Sequence, residues 1–295
     1  MRRAGPAGLL CLAALSPPRA VAQEIPTFSA GVEAIRLDVL VTSGDRVVRG
    51  LEAADFEVRD NGVLQAVELV DSENLPVNVI LALDTSGSVA GEPLEHLRSA
   101  GGALLGRLLP DDLAGLVTFS HEVTLREGLT RDRSRLESAL ALVEPRGETA
   151  VIDGSYAAMM LGETHVGRDL LIVFSDGVDT SSWLTDGQVL EAARRCDVVA
   201  YGVSVRGTVE PDFLGRLAQV TGGSLFEVES TRDLSTVFID IFDEFRGRYL
   251  LSYTPQGVSG DGWHRLDVKI KERRGAARVR SGYMAGPQPP GSPAS

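Results

Sequence analysis

The chain has 295 residues, 43 % of them apolar, enough to bury one large core, or one large and one small. Its formal charge of −12 repels phosphate backbones and anionic lipid surfaces. Nucleic acid is thereby excluded as an expected partner, and a basic or cationic surface is favoured.

The first segment, "MRRAGPAGLLCLAALSPPRAVAQ", runs from Arg2 and Arg3 through Leu9, Leu10, Leu12 and Leu15 to Ala20-Val21-Ala22. That order of positive, apolar and small residues describes a secretory signal, with cleavage expected after Ala22. The apolar run is too short for a membrane anchor. Loss of its three arginines would take the charge to −15 and leave Cys196 as the remaining cysteine. No internal disulfide could then form, so an exported fold must rely on packing or on metal. No later segment is long and apolar enough to span a bilayer. A secreted or periplasmic location is expected.

Residues 23–75 read as a linker followed by a β-rich flank. "VEAIRLDVLVTS" (32–43) alternates like a half-buried strand, and "FEVRDNGVLQAVELV" (56–70) places Asn61-Gly62 between two alternating runs, where a tight hairpin turn is predicted. From 76 to 246 the period changes. Apolar runs at 77–83, 113–119, 170–174 and 198–205 alternate with helical spacing at 94–108, 135–143, 151–161, 188–196, 211–220 and 234–245. Strands buried on both faces and separated by helices predict an α/β domain, a mostly parallel sheet with helices on each side. β patterning returns over 247–285, where Leu266, Val268 and Ile270 are expected to face inward. The Pro, Gly and Ser of 286–295 predict a disordered tail. The two β-rich flanks are expected to pair as a small β-sandwich into which the α/β domain is inserted.

Oxygen-bearing side chains gather where the buried strands end. Asp84, Ser86 and Ser88 follow the first, Asp176 follows the run at 170–174, and Thr149 lies at the start of a helix between them. In open parallel sheets, ligands bind beyond the carboxyl ends of the strands. Hard divalent cations take oxygen ligands, and Mg²⁺ prefers an octahedron at about 2.1 Å while keeping some waters. Taken singly, Ser86 and Ser88 read as helix caps and Asp176 as a turn residue. Five such residues together point to a metal site.

Asp-x-Ser-x-Ser at 84–88, Thr149 and the "SDG" aspartate at 176 resemble the metal-ion-dependent adhesion site of von Willebrand factor type A domains. The flanks, "LDVLVTSGDRVVRGLEAADFEVRDNG" (37–62) and "WHRLDVKIKERRGAARVRSGY" (263–283), are similar to those of exported bacterial proteins built around such a domain. The resemblance implies a Rossmann-like doubly wound fold and a non-enzymatic, protein-binding role. It implies Mg²⁺, with Mn²⁺ or Ca²⁺ as alternatives, held directly by Ser86, Ser88 and Thr149 and mainly through water by Asp84 and Asp176. The implied partner is a protein offering an Asp or Glu carboxylate. A structural role in an envelope assembly, with the metal only stabilising the fold, is the alternative; the sequence gives no oligomeric state.

Other residues have blander expectations. Glu148 stands beside Thr149 where the family often has glycine, and is expected to face solvent. Asp153 and Asp179 are read as turn and cap residues, Cys196 as a small buried apolar group, and Trp183 as packing onto the following helix, the other reading being contact with a partner near the metal. Lys269, Lys271, Arg273, Arg274, Arg278 and Arg280 read as a solvated strand face. The four histidines, His96, His121, His165 and His264, are not at metal-ligand spacing, and no nucleophile turn or phosphate-binding glycine loop is present. Catalysis is not expected.

Overall fold

The computed structural model describes residues 34–286, except 45, 71–74, 163–166, 207–211, 259 and 272–274. The predicted leader at 1–22 and residues 287–295 of the predicted tail lie outside the described residues.

Five strands come first: β1 (Ile35–Ser43), β2 (Arg46–Val47), β3 (Phe56–Asp60), β4 (Val63–Gln65) and β5 (Glu68–Val70). Asn61 (φ 47°) and Gly62 (φ 85°) supply the two left-handed residues that a tight β3–β4 turn requires, and Asp60 pairs with Val63 across it. The α/β region follows as β6 (Val77–Asp84), α1 (Glu92–Leu105), β7 (Leu113–Phe119), β8 (Val123–Thr130), α2 (Arg133–Ala141), α3 (Val151–Gly162), β9 (Arg168–Phe174), α4 (Asp186–Ala193), β10 (Val199–Val205), α5 (Asp212–Thr221), β11 (Leu225–Val228) and α6 (Leu234–Arg246). The chain then returns through β12 (Tyr249–Tyr253), β13 (Gly262–Ile270), β14 (Ala276–Arg278) and β15 (Gly282–Ala285).

The central sheet has the order β11-β10-β9-β6-β7-β8, parallel except for β8, which runs antiparallel to β7. All eight residues of β6 are buried, and their period of two sends them to opposite faces. Val77, Val79, Leu81 and Leu83 join the core under α1, α2 and α6, whereas Ile80 and Ala82 join the core under α3, α4 and α5. Helix starts follow local chemistry. Asp132 accepts from the Ser134 and Arg135 N–H groups to begin α2, and a Thr185–Gln188 capping box begins α4.

The two flanks pair with each other. β1 lies between β12 and β14 with β5 beyond β12, and β13 lies between β15 and β3. The two antiparallel sheets close on a shared core of Leu37, Val39, Val41, Phe56, Val58, Leu251, Tyr253, Leu266 and Val268. Along β13, Arg265, Asp267 and Lys269 point outward as the alternation predicts. Within this core the Asp60 carboxylate is fully buried and accepts from Tyr253 (2.9 Å), Tyr283 (2.7 Å) and His264 Nδ1 (2.7 Å). That pairing gives His264 a structural role.

Buried arginines join the flank to the α/β region. Arg168 Nε donates to Asp38 of β1 at 2.7 Å, its Nη2 donates to the Phe245 carbonyl at 3.1 Å, and its guanidinium lies 4.7 Å from the Phe245 ring. Arg248, fully buried between α6 and β12, donates to Tyr201 (2.8 Å), the Gly222 carbonyl (2.7 Å) and the Asp38 carbonyl (3.2 Å). Arg280 departs from the expected solvated face. It is 9 % exposed, and its donors go to Asp197 (2.5 Å) and to the carbonyls of Gly282 (2.9 Å) and Arg194 (3.0 Å).

Asp169, at the start of β9, accepts from Asn78 at 2.7 Å but lies in a poorly solvated cleft. Burial, with Asp197 and Asp38 nearby, pushes its pKa up to about 6. A folded value above the unfolded one favours folding below the unfolded pKa, and this contribution is lost as pH rises through 6. Asp169→Asn is therefore expected to gain on the order of 2 kcal/mol relative to wild type above pH 6, and little at pH 4. Urea titrations at both pH values check this; equal differences at the two would refute it.

Candidate metal centre

β6 and β9 are neighbours, with Leu83 opposite Phe174, so the residues that follow them emerge side by side. β7 lies on the other side of β6, which makes the β6–β9 boundary the point where the winding of the sheet reverses, the usual place for a ligand crevice. Asp84, fully buried, accepts from the Ser86 N–H at 2.8 Å through Oδ1 and from Ser175 Oγ at 2.6 Å through Oδ2. Ser88 Oγ donates to Asp176 Oδ1 at 2.7 Å. With its single proton so used, Ser88 accepts from Ser86 Oγ at 2.9 Å. Four of the five predicted residues are thus linked by hydrogen bonds, Ser86, Ser88 and Asp176 through their side-chain oxygens and Asp84 through the Ser86 main-chain N–H, with Asp84 deepest and Ser88 open to solvent.

The fifth arrives on the loop before α3. Arg146 N–H donates to the Thr85 carbonyl (2.8 Å), Gly87 N–H to the Gly147 carbonyl (3.0 Å) and Ala150 N–H to the Ser120 carbonyl (2.8 Å), which ties this loop to the ends of β6 and β7. Gly147 sits at φ 72°, and a Cβ there would come within 2.1 Å of His121 Nδ1. Thr149 is held by its main chain. Its N–H donates to Thr180 Oγ1 at 3.1 Å, and its carbonyl accepts from the Thr180 N–H at 2.8 Å and the Ser181 N–H at 3.1 Å. Its hydroxyl lies 3.5 Å from where a Cβ of Gly177 would stand, so it faces the loop that carries Asp176. Glu148 is exposed, as expected.

Electrostatically the cluster is short of positive charge. Burial raises the Asp84 pKa above its ordinary value; hydrogen bonds from Ser175 and Ser86 oppose that rise, and the Asp176 charge adds to it. Among the described residues no Lys, Arg or His forms an ion pair with Asp84 or Asp176. Two carboxylates and three hydroxyls form an all-oxygen donor set, the chemistry that a hard divalent cation takes. The residues fit such an ion.

Asp153 and Asp179 do other work. Asp179 accepts from the Ile152 N–H (3.0 Å) at the start of α3 and from Ser182 Oγ (2.6 Å), while Asp153 accepts from the Trp183 and Leu184 N–H groups, each at 2.9 Å. Cys196 is buried, 3.3 Å from the Ala192 carbonyl. Trp183 does not pack onto α4; it is 93 % exposed, and its neighbour Leu184 joins the core instead. Sequence reading missed Ser175, which holds Asp84, and Thr180, which holds Thr149. Both act across many residues of separation, so no local pattern marks them.

A fold of this kind with oxygen donors at this edge defines a class, and the family model described as von Willebrand factor type A domain matches residues 78–239, more than half of the chain. The chain belongs to that family. A protein of Synechocystis sp., Uncharacterized protein sll0103, is 31 % identical over 116 residues, which are 39 % of this chain. The match spans 26 % of that relative's length. The fold is similar to that of proximal thread matrix protein 1 from the mussel byssus, solved with a zinc-occupied MIDAS motif (TM-score 0.53, 18 % identity, 63 % of this chain and 49 % of that one). It is also similar to the vWF domain of the type V pili tip protein Mfa5 from Porphyromonas gingivalis (TM-score 0.51, 13 % identity, 63 % and 98 %). At these identities the likeness is one of fold. Among the described residues, no helix is long and apolar enough to cross a membrane.

Proposed function

We propose that the chain is an exported, divalent-metal-dependent protein-binding module that captures a partner's Asp or Glu carboxylate. The observation that carries this reading is the convergence of Asp84, Ser86, Ser88, Thr149 and Asp176 at one sheet edge, with a buried carboxylate that no cationic side chain among the described residues pairs with. A bound Mg²⁺, or Mn²⁺ or Ca²⁺, would supply a Lewis-acidic centre for an incoming carboxylate. Ser86, Ser88 and Thr149 would offer it neutral hydroxyl oxygens. Asp84, fixed by Ser175, and Asp176 would supply charge and orient waters. No nucleophile or general base is assigned, and the role is binding without catalysis. The byssus-thread and pilus-tip settings of the structures it is similar to agree with an interaction module.

Thr149→Ala tests this. The bonds that hold the Thr149 loop use its main chain, so the variant is expected to keep its EDTA stability while losing at least about tenfold in Mn²⁺ affinity. Wild-type protein immobilised in Mg²⁺ should capture a partner from an envelope and culture-supernatant extract, release it in EDTA, and lose it in the variant. Unchanged metal affinity and capture in Thr149→Ala would overturn the reading. Metal binding without any EDTA-sensitive capture would favour a structural role in an envelope assembly.

A further inference from the structure

Trp183 is 93 % exposed, on the loop that joins Asp176 to α4, and Val178 on the same loop is 47 % exposed. Tryptophan is highly buried on average, so full exposure of an indole calls for a reason. The loop around it is well held. Asp153 fixes the Trp183 N–H and Leu184 N–H, Ser182 N–H donates to Asp179 at 3.1 Å, and Asp153 N–H donates to Ser182 Oγ at 3.1 Å. Leu184 occupies the apolar space beside α4, which leaves the indole outside. The main chain of Trp183 is also within short reach of the candidate metal centre. Ser181 N–H bonds the Thr149 carbonyl, and two further residues of chain span at most about 7 Å.

We propose that Trp183 is the apolar anchor of the partner-binding face, so that the partner is a protein segment carrying an apolar side chain next to its metal-seeking Asp or Glu. This deepens the metal-dependent reading and rests on it. Asp84 and Asp176 already balance a divalent ion, and the chain is acidic overall, so an acidic partner gains little long-range attraction. Coordination of the carboxylate exchanges a water on the ion for one oxygen, so affinity beyond that contact is expected from desolvated apolar surface, and a tryptophan whose backbone is fixed in advance loses little freedom on binding.

The probes are three acetylated, amidated peptides: Gly-Gly-Asp-Leu-Gly-Gly, Gly-Gly-Asp-Ser-Gly-Gly and Gly-Gly-Asn-Leu-Gly-Gly. The chain has two tryptophans, so Trp263→Phe leaves Trp183 as the sole indole, and its ¹⁵N–¹H resonance and fluorescence report directly. In saturating Mg²⁺ the Asp-Leu peptide is expected to shift both signals and to bind about tenfold more tightly than the Asp-Ser peptide. The Asn-Leu peptide, and every peptide in EDTA, should leave them unmoved. By calorimetry, Trp183→Ala should weaken Asp-Leu binding about tenfold, with Trp183→Phe between. Equal affinity of Trp183→Ala, or of the Asp-Leu and Asp-Ser peptides, would overturn this inference and leave the metal reading intact. So would capture of oligogalacturonate but of no peptide, which would point to an acidic glycan, or a metal-loaded protein that binds none of these probes. Failure of the wild type to bind Mn²⁺ would overturn both.

Discussion

Asp84→Asn is expected to make the metal-free protein more stable at pH 7 while abolishing its stabilisation by Mg²⁺. The two effects share one cause. Asp84 is fully buried at the end of β6, and burial raises its pKa from the ordinary 3.8. A folded value above the unfolded one means that its contribution to stability is present below pH 3.8 and is lost as pH rises through the raised value. In the metal-free fold, burial therefore opposes charging of Asp84, and a neutral side chain there carries no such penalty. Asparagine keeps the shape: its oxygen can accept from the Ser86 N–H, and its amide can donate to Ser175 Oγ. A cation reverses the balance by favouring the charged form, and at one hundred times Kd it adds about 2.7 kcal/mol to wild-type stability. Urea titrations in EDTA and in Mg²⁺ measure both effects. The same Mg²⁺ gain in Asp84→Asn and wild type would remove Asp84 from the site.

Arg168→Met is expected to cost about 3–5 kcal/mol, the scale for breaking one side of a buried ion pair. The guanidinium is 3 % exposed, and without it the Asp38 carboxylate and the Phe245 carbonyl lose their shared donor. Adding Asp38→Leu to Arg168→Met removes the stranded charge, so the double variant should recover most of the loss. Equilibrium unfolding in urea is the measurement. A double variant as unstable as the single one would mean that the guanidinium acts by packing on Phe245 rather than by charge.

Elements whose burial is uniform or strictly alternating were legible in the sequence. β6, β9 and β10 read as apolar runs because both of their faces are covered, and β13 reads as an alternation because one face is wet. The Asn61-Gly62 turn was legible because few residue pairs tolerate its backbone. β8 carried no such signal: none of its residues is fully buried, and its register against β7 is irregular. Arg280 read as part of a solvated strand face, and residue type alone gives no sign that Arg168 and Arg248 are buried. Their burial depends on carbonyls at Phe245, Gly222, Gly282 and Arg194 that converge only in the folded chain. The oxygen cluster was legible by residue type and place along the chain. Its supports, Ser175 and Thr180, were not, because they are chosen by the register of β6 on β9 and by the approach of two loops.

The chain leaves the flanking sandwich at β5 and returns to it at β12, and these two strands are hydrogen-bonded neighbours, with Leu69 opposite Leu251. A load applied to the α/β region would therefore reach the sandwich through two adjacent strands pulled in the same direction. Such a pull does not separate β5 from β12. It slides β12 along β1, where the ladder from Ile35↔Tyr253 to Val39↔Tyr249 resists as a set rather than one bond at a time. Tension from β1 to β15 has a path through the sandwich ladders that does not run along the α/β chain, and it reaches that region through contacts such as Arg168 on Asp38.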